Sequence, residues 1–256
     1  MERSPGVQKS GGPGVRGLVL AAGRGSRFQS ESGEAFPKVL RPLLGKPLVS
    51  YVIDALREAG VDDITLVVGF QAELVRREIG SGVGYATQEE QKGSGHAVAC
   101  ARDAFEGFSG SVVIMCGDSP LFTSDTIRGI VREHTESGSV ITLAAARLDD
   151  PTGYGRIVRD KSGQVIAIIE EKCAGAEERS IKEVNGGVYC FDADWLFSNI
   201  ALMAVNEAGE YNLTDMVRVA IAQGRKVSAV PCDPQELLGV NTPGQLKVVE
   251  EIVRGR

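Results

Sequence analysis

The chain has 256 residues, 43% hydrophobic and 24% charged, with a formal net charge of -6, the composition of an ordinary soluble protein with apolar content for one large core or two small ones. This acidic balance argues against a general nucleic-acid binder, because gripping a phosphate backbone requires a basic face. The five cysteines are scattered and never spaced C-x-x-C, no apolar run approaches the ~20 residues that span a bilayer, and the N-terminus has no apolar signal core, so no disulfide framework, zinc knuckle or membrane association is expected and a reducing cytoplasm is the natural setting.

Residues 1–16 hold Gly, Pro, Ser and charge with little to bury, and are expected to form a disordered tail, with structure beginning at Gly17. The apolar runs 18–22, 64–68 and 112–116 read as buried strands of the parallel kind. A helix is predicted over 47–59, with Pro47 in its first turn, Leu48, Val52, Ile53, Leu56 and Ala59 along one face, and Gly60 as its stop. Further helices are predicted over 94–105 and 124–134, the latter opened by the capping candidates Thr123 and Ser124. This alternation implies an α/β fold with a Rossmann-like, doubly wound mixed sheet. After about residue 150 the texture changes: 156–159, 164–170 and 187–191 read as strands joined by Gly- and charge-rich turns, giving a smaller β-rich lobe that would wall a substrate. A strand over 227–230 and a closing helix over 242–253 complete the pattern, which contains no internal repeat.

The opening strand runs into Leu20-Ala21-Ala22-Gly23-Arg24-Gly25-Ser26-Arg27. Small residues where a strand ends let a backbone approach a phosphate closely, and their N–H groups can form an anion-binding nest. Arg27 and Lys38 add a bidentate guanidinium and a point-charge ammonium, a pair suited to a polyphosphate. The dinucleotide fingerprint fails, since Phe28 stands where its third glycine belongs, and no G-x-x-x-x-G-K-[ST] occurs. The glycines could equally form a plain tight turn, with Arg27 a solvated charge.

With Pro37-Lys38-Val39-Leu40 and Gly45-Lys46-Pro47-Leu48, this segment resembles the signature of the sugar-phosphate nucleotidyltransferases, L-A-A-G-x-G-[ST]-R followed by P-K-x-L. Later segments resemble that family's N-acetylglucosamine-1-phosphate uridylyltransferase branch. They are Gln88 with 93–97, Gly117-Asp118, 150–157, 170–172, 185–187, 210–215 and 239–241. The resemblance implies a fold of the nucleotide-diphospho-sugar transferase type and Mg²⁺-dependent transfer of a uridylyl group from UTP to N-acetylglucosamine 1-phosphate, releasing pyrophosphate. It assigns residues 17–241 to the nucleotidyltransferase domain and 242–256 to a C-terminal helix. It implies that Leu20, Ala21, Ala22, Gly23, Gln88, Gly93 and Ser94 contact the nucleotide, with Gln88 reading the pyrimidine edge and the helix opened by Gly93 and Ser94 aiming its N–H groups at the nucleotide. By the same resemblance Gly155, Glu170 and Asn185 hold the amino sugar, Gly117 and Asp118 join the substrate site, and Asp118 with Asn241 binds magnesium. Arg27 and Lys38 would stabilise the departing pyrophosphate.

The chemistry of these residue types agrees. Carboxylate and amide oxygens are the hard donors magnesium prefers, and Asp118 follows the carboxyl end of a predicted strand, where open α/β sheets bind ligands. Simpler readings stand beside them: Asp118 as a turn residue before Pro120, Glu170 in a solvated turn, Asn185 as turn chemistry before two glycines, Thr214 and Asp215 as helix caps, His96 as a helix histidine partnered inside the fold, and the cysteines as inert. Two departures from the branch are the lengthened spacer 28–36 and Cys116 before Gly117. The branch's bifunctional members continue into hexapeptide repeats that trimerise and acetylate; here neither is expected, and the chain is expected to be a monomer or weak oligomer. The rivals are a sister enzyme using glucose 1-phosphate with UTP or dTTP, a cytidylyltransferase, and a non-catalytic sugar-nucleotide sensor.

Overall fold

The computed structural model describes residues 14–25, 28, 36–206 and 209–256. In chain order the elements are β1 (Gly14–Ala21), β2 (Pro42–Leu43), β3 (Lys46–Pro47), α1 (Leu48–Glu58), β4 (Ile64–Val68), α2 (Ala72–Ile79), β5 (Gly84–Thr87), α3 (Ser94–Cys100), β6 (Gly110–Cys116), α4 (Ser124–Ser137) and β7 (Ile141–Arg147). There follow β8 (Arg156–Arg159), β9 (Val165–Ile169), the single turn α5 (Ala176–Arg179), β10 (Glu183–Asp192), α6 (Ala193–Asn199), α7 (Asp215–Ala222), β11 (Val227–Pro231) and α8 (Pro243–Gly255).

The main sheet runs β11-β7-β10-β6-β1-β4-β5. The pairings β6–β1, β1–β4, β4–β5 and β7–β11 are parallel, and β10 is antiparallel to both its neighbours. The sheet is therefore mixed, as expected. Its strands are apolar on both sides because both faces are covered: Leu18, Val112 and Ile114 face one core with α3, α6 and α7, while Val19, Val113 and Met115 face another with α1 and α4. That alternation is the period-2 geometry of a strand buried twice. A third cluster sets Leu43, Leu48, Leu121 and Val240 against Val249 of α8. The predicted closing helix is thus part of the fold, capped by Thr242, whose hydroxyl accepts from the Gln245 N–H at 3.2 Å.

Three expectations need correction. Residues 14–16, expected in the disordered tail, belong to β1, because they are held by backbone pairing to Gly110–Val112 and by the Arg16 guanidinium, which lies 4.4 Å from the Phe108 ring centroid and 2.7 Å from Asp63. Residues 1–13 lie outside the described residues. The helix expected over 94–105 ends at Cys100 and passes into a 3-10 turn, Arg102–Phe105; Ala101 and Phe105 stay buried, so the apolar spacing outlasts the α-helical backbone. The strand expected over 187–191 begins at Glu183 and contains a bulge between Asn185 and Tyr189. The β8–β9 hairpin forms as predicted, but it joins the sheet through β10 at Val184 and Arg156.

Candidate active site

The carboxyl ends of β1, β4 and β6 lie side by side, and the loops leaving them are laced by backbone hydrogen bonds. Gly117 N–H donates to Leu20 O at 2.9 Å, Phe70 N–H to Ala22 O at 3.2 Å, and Gln88 N–H to Val68 O at 2.8 Å. These fix the 20–23 turn beside Gln88 and Gly117. The two glycines of the turn differ: Gly25 has φ +62°, and a Cβ there would stand 2.7 Å from Lys38 Cβ, whereas a Cβ on Gly23 would meet nothing within 4 Å. Gly25 is required so that Lys38 can approach. Gly23 leaves open space. Arg27 lies outside the described residues, as does 29–35 of the lengthened spacer.

Lys38 leads a 3-10 turn anchored by buried Val39 and Leu40. Its ammonium donates to the Asp118 carboxylate and, at 2.7 Å, to Asn241 Oδ1. Asp118 follows β6 and Asn241 precedes α8. Val240 N–H donates to Asp118 O at 2.8 Å and Asn241 N–H to Gln245 Oε1 at 2.8 Å, so the two oxygen-bearing residues are tied together by backbone. Residues 80 and 203 positions from Lys38 thus meet at one cation.

Beside them is a cavity of about 440 Å³ lined by Cys116, Asp118, Tyr154, Asn185, Gly186 and Asn241 among others. The expected sugar-side residues converge on this side. Asn185 N–H donates to Gly155 O at 2.9 Å. A Cβ on Gly155 would lie 3.6 Å from a Glu170 carboxylate oxygen. The bulge explains the Asn185 geometry: its Oδ1 accepts from Gly187 N–H at 3.1 Å, its Nδ2 donates to Tyr189 OH at 2.6 Å, and Gly187 turns with φ +78°. Bulges re-aim side chains in this way.

Sequence reasoning missed three supporting groups. Thr214, left aside as a cap, donates its hydroxyl to Glu170 at 2.8 Å, while no side-chain cap bond forms. Arg156, with 2% of its side chain exposed, donates to Tyr154 O and, at 2.6 Å, to Glu171 Oε2, which also accepts from Gly153 N–H at 3.2 Å. The Arg156 guanidinium holds the Glu171 carboxyl below the usual carboxylate range. Gln91 accepts from Arg24 Nε at 3.2 Å and donates to Gln88 O at 3.3 Å, linking the first loop to Gln88. A buried arginine in a predicted strand was the one sequence signal available, since such a charge requires partners.

Where the nucleotide is expected, Gln88 is 3% exposed, and its amide nitrogen donates to Gly93 O at 3.1 Å and lies 3.0 Å from His96 Nδ1. Both contacts engage the Gln88 amide nitrogen. His96 is a partnered helix histidine, as expected, and its partner is Gln88. The expectation for the α3 N-terminus needs narrowing: Gly95 N–H donates to Tyr211 O at 2.8 Å and the Ser94 hydroxyl accepts from Leu213 N–H at 3.0 Å. Those groups secure the 209–213 loop. Gly93, at φ +97°, is needed there because a Cβ would lie 2.9 Å from Tyr211 N.

The Cys116 thiol is pushed up to about 12, first by burial, then by Asp118, with Lys38 opposing. It is a protonated wall residue, not a nucleophile. All five cysteines are free. Among the described residues no helix is long and apolar enough to cross a membrane.

Loops at the carboxyl ends of parallel strands, an open glycine turn and a lysine held by carboxylate and amide oxygens lie where open α/β sheets bind their ligands. The Nucleotidyl transferase family matches residues 16–234, and the chain belongs to that family. Similar relatives include the bifunctional protein GlmU of Geotalea daltonii, 45% identical over 246 residues, which are 94% of this chain and 53% of that protein. Those of Trichlorobacter lovleyi and Clostridium novyi are 45% and 43% identical, over 93% of this chain and 52% of each. The chain spans about half the length of these curated relatives. A Bacillus anthracis crystal structure described as "a putative glucose-1-phosphate thymidylyltransferase", in complex with a sucrose, shares the fold at a TM-score of 0.77 and 23% identity, covering 94% of this chain and 95% of its own.

Proposed function

We propose that the chain is a Mg²⁺-dependent uridylyltransferase that joins UTP to N-acetylglucosamine 1-phosphate, forming UDP-N-acetylglucosamine and pyrophosphate in the cytoplasm. The observation that carries this reading is the meeting of Lys38, Asp118 and Asn241 between the first-loop turn and the cavity bearing Asn185. A transferase needs the two substrates on either side of one charge-neutralising point. The likeness to the GlmU proteins supports the choice of sugar and base.

Asp118 and Asn241 suit a divalent ion, because both direct hard oxygens at a position already held by a cation. Among the described residues no group of three or more His, Cys, Asp or Glu could hold a metal. Two protein donors, Asp118 and Asn241, would fit magnesium's habit of keeping water and phosphate as its other ligands. Bound there, Mg²⁺ would supply charge neutralisation between the two phosphate groups.

The sugar phosphate oxygen attacks the α-phosphorus in line, and pyrophosphate leaves; positioning and electrostatics carry the catalysis. Gln88 accepts a base N–H while the 20–23 turn seats the phosphates. Lys38 and Arg27 stabilise charge on the departing pyrophosphate. Gly155, Glu170 and Asn185 hold the amino sugar, with Thr214 orienting Glu170.

Pyrophosphate release should be followed with Mg²⁺ across nucleoside triphosphates and sugar 1-phosphates. Release with UTP and N-acetylglucosamine 1-phosphate is expected. A different productive pair would assign a sister specificity, and binding without release would overturn the enzymatic reading.

A further inference from the structure

The Asp118 carboxylate and Asn241 amide oxygen are bound to an internal cation, and that cation is on the most flexible stem in the cluster. Asp118 and Asn241 are fixed through the Val240–Asp118 backbone bond and the Gln245 contact. Lys38 is fixed only at its base, where Val39 and Leu40 are buried and Gly25 packs on its Cβ. Beyond Cβ it has three methylenes before the ammonium. The Lys38 and Asp118 side chains are 15% and 16% exposed, so water screens the pair poorly.

We infer that Lys38 is a placeholder for the divalent ion: its ammonium occupies the Asp118–Asn241 pair in the ligand-free protein and must leave before a metal can bind there. This rests on the proposed uridylyltransferase reading and adds a binding order to it. One carboxylate balances one ammonium. Adding a divalent ion beside that ammonium would leave excess positive charge in a partly desolvated pocket, whereas a triphosphate draws the ammonium away and brings its own anionic oxygens to the ion. Metal and nucleotide therefore bind with positive coupling, and the same lysine that screens the empty pair becomes the phosphate contact. The coupling is reciprocal, so the factor by which nucleotide tightens metal binding equals the factor by which metal tightens nucleotide binding.

Mn²⁺ serves as the probe, with free Mn²⁺ read by electron paramagnetic resonance. Without nucleotide, Lys38→Met should bind Mn²⁺ at least about tenfold more tightly than the wild type, within the usual range of coupling between sites. Lys38→Arg, which keeps the cation, should stay near wild type, and Lys38→Met/Asp118→Ala should lose the gain. A non-hydrolysable UTP analogue should tighten Mn²⁺ binding strongly in the wild type and much less in Lys38→Met. Lys38→Gln provides a second neutral variant should Lys38→Met fold poorly, checked by circular dichroism. Unchanged or weaker Mn²⁺ binding in both neutral variants overturns the placeholder. Because binding is read without turnover, a gain in Mn²⁺ affinity alongside failure of pyrophosphate release would reject the proposed reaction and leave the placeholder standing.

Discussion

The two sides of the site are built differently. On the side proposed for the nucleotide, β1, β4 and β6 end together, and the loops are shaped by backbone bonds and by glycines whose Cβ positions are already taken, as at Gly25, Gly69 and Gly93. On the side proposed for the sugar, side chains position one another: Thr214 on Glu170, Arg156 on Glu171, and Asn185 on Tyr189 through a bulge. A backbone-built pocket should be broken by adding a methyl group. A side-chain-built pocket should be broken by removing a partner, and more gently.

The residues shared by both sides give the largest expected effect. Asp118→Ala should lower kcat with UTP and N-acetylglucosamine 1-phosphate by at least ~100-fold, the scale for losing one charge-stabilising group, measured by pyrophosphate release over a Mg²⁺ titration. A near-normal rate would remove Asp118 from the mechanism. Next is Gly93→Ala, which tests the backbone-built side. Holding a non-glycine residue at φ +97° against Tyr211 should cost on the order of 1–3 kcal/mol. It should lower Tm and raise KM for UTP about tenfold; an unchanged KM for UTP would mean that the 209–213 loop does not shape the nucleotide pocket.

The same contrast explains what could be read from sequence. Strands 64–68 and 112–116 were legible because both faces are buried and the apolar run is continuous. The 20–25 turn was legible because close backbone approach restricts residue type. Strand β7 was missed although its Ile141–Ala146 run is buried, and so was α7, whose cap position Thr214 was recognised without the helix. Asn185-Gly186-Gly187 has the composition of a turn, and only pairing with β7 on both sides makes it a bulge. The links Thr214–Glu170 and Lys38–Asn241 join positions 44 and 203 residues apart, and no local pattern encodes such distances.

Arg156 tests the side-chain-built half. Its guanidinium ties Tyr154 and Glu171, the chain neighbours of Gly155 and Glu170, so it is a positioning residue. Arg156→Met should raise KM for the sugar phosphate about tenfold, through the loss of a charge-assisted hydrogen bond that leaves Glu171 with only the Gly153 N–H and the more distant Arg179, and leave KM for UTP near wild type. Glu171→Gln should shift the same constant less, since its amide can still meet part of the network. Equal shifts in both KM values would show that the two halves are not separable in this way.

The smallest expected effect lies in the scaffold beneath both halves. His134 on α4 is buried, with Nδ1 3.2 Å from the Thr142 hydroxyl on β7, and burial lowers its pKa below 6.5 while Asp192 opposes the shift. Its neutral form is the one the fold accepts. As pH falls through 6.5 the unfolded chain takes up a proton that the folded chain resists, so His134 destabilises the fold progressively below that pH, until the folded value is passed. The slope cannot exceed one proton per molecule, about 1.4 kcal/mol per pH unit. Tm measured between pH 7 and pH 5 should therefore fall less steeply for His134→Gln than for the wild type, with the ratio of the two KM values unchanged at pH 7. A ratio that moved with His134 would mean that β7 transmits strain to the Asn185 bulge it pairs with, and that the two halves share more than a sheet.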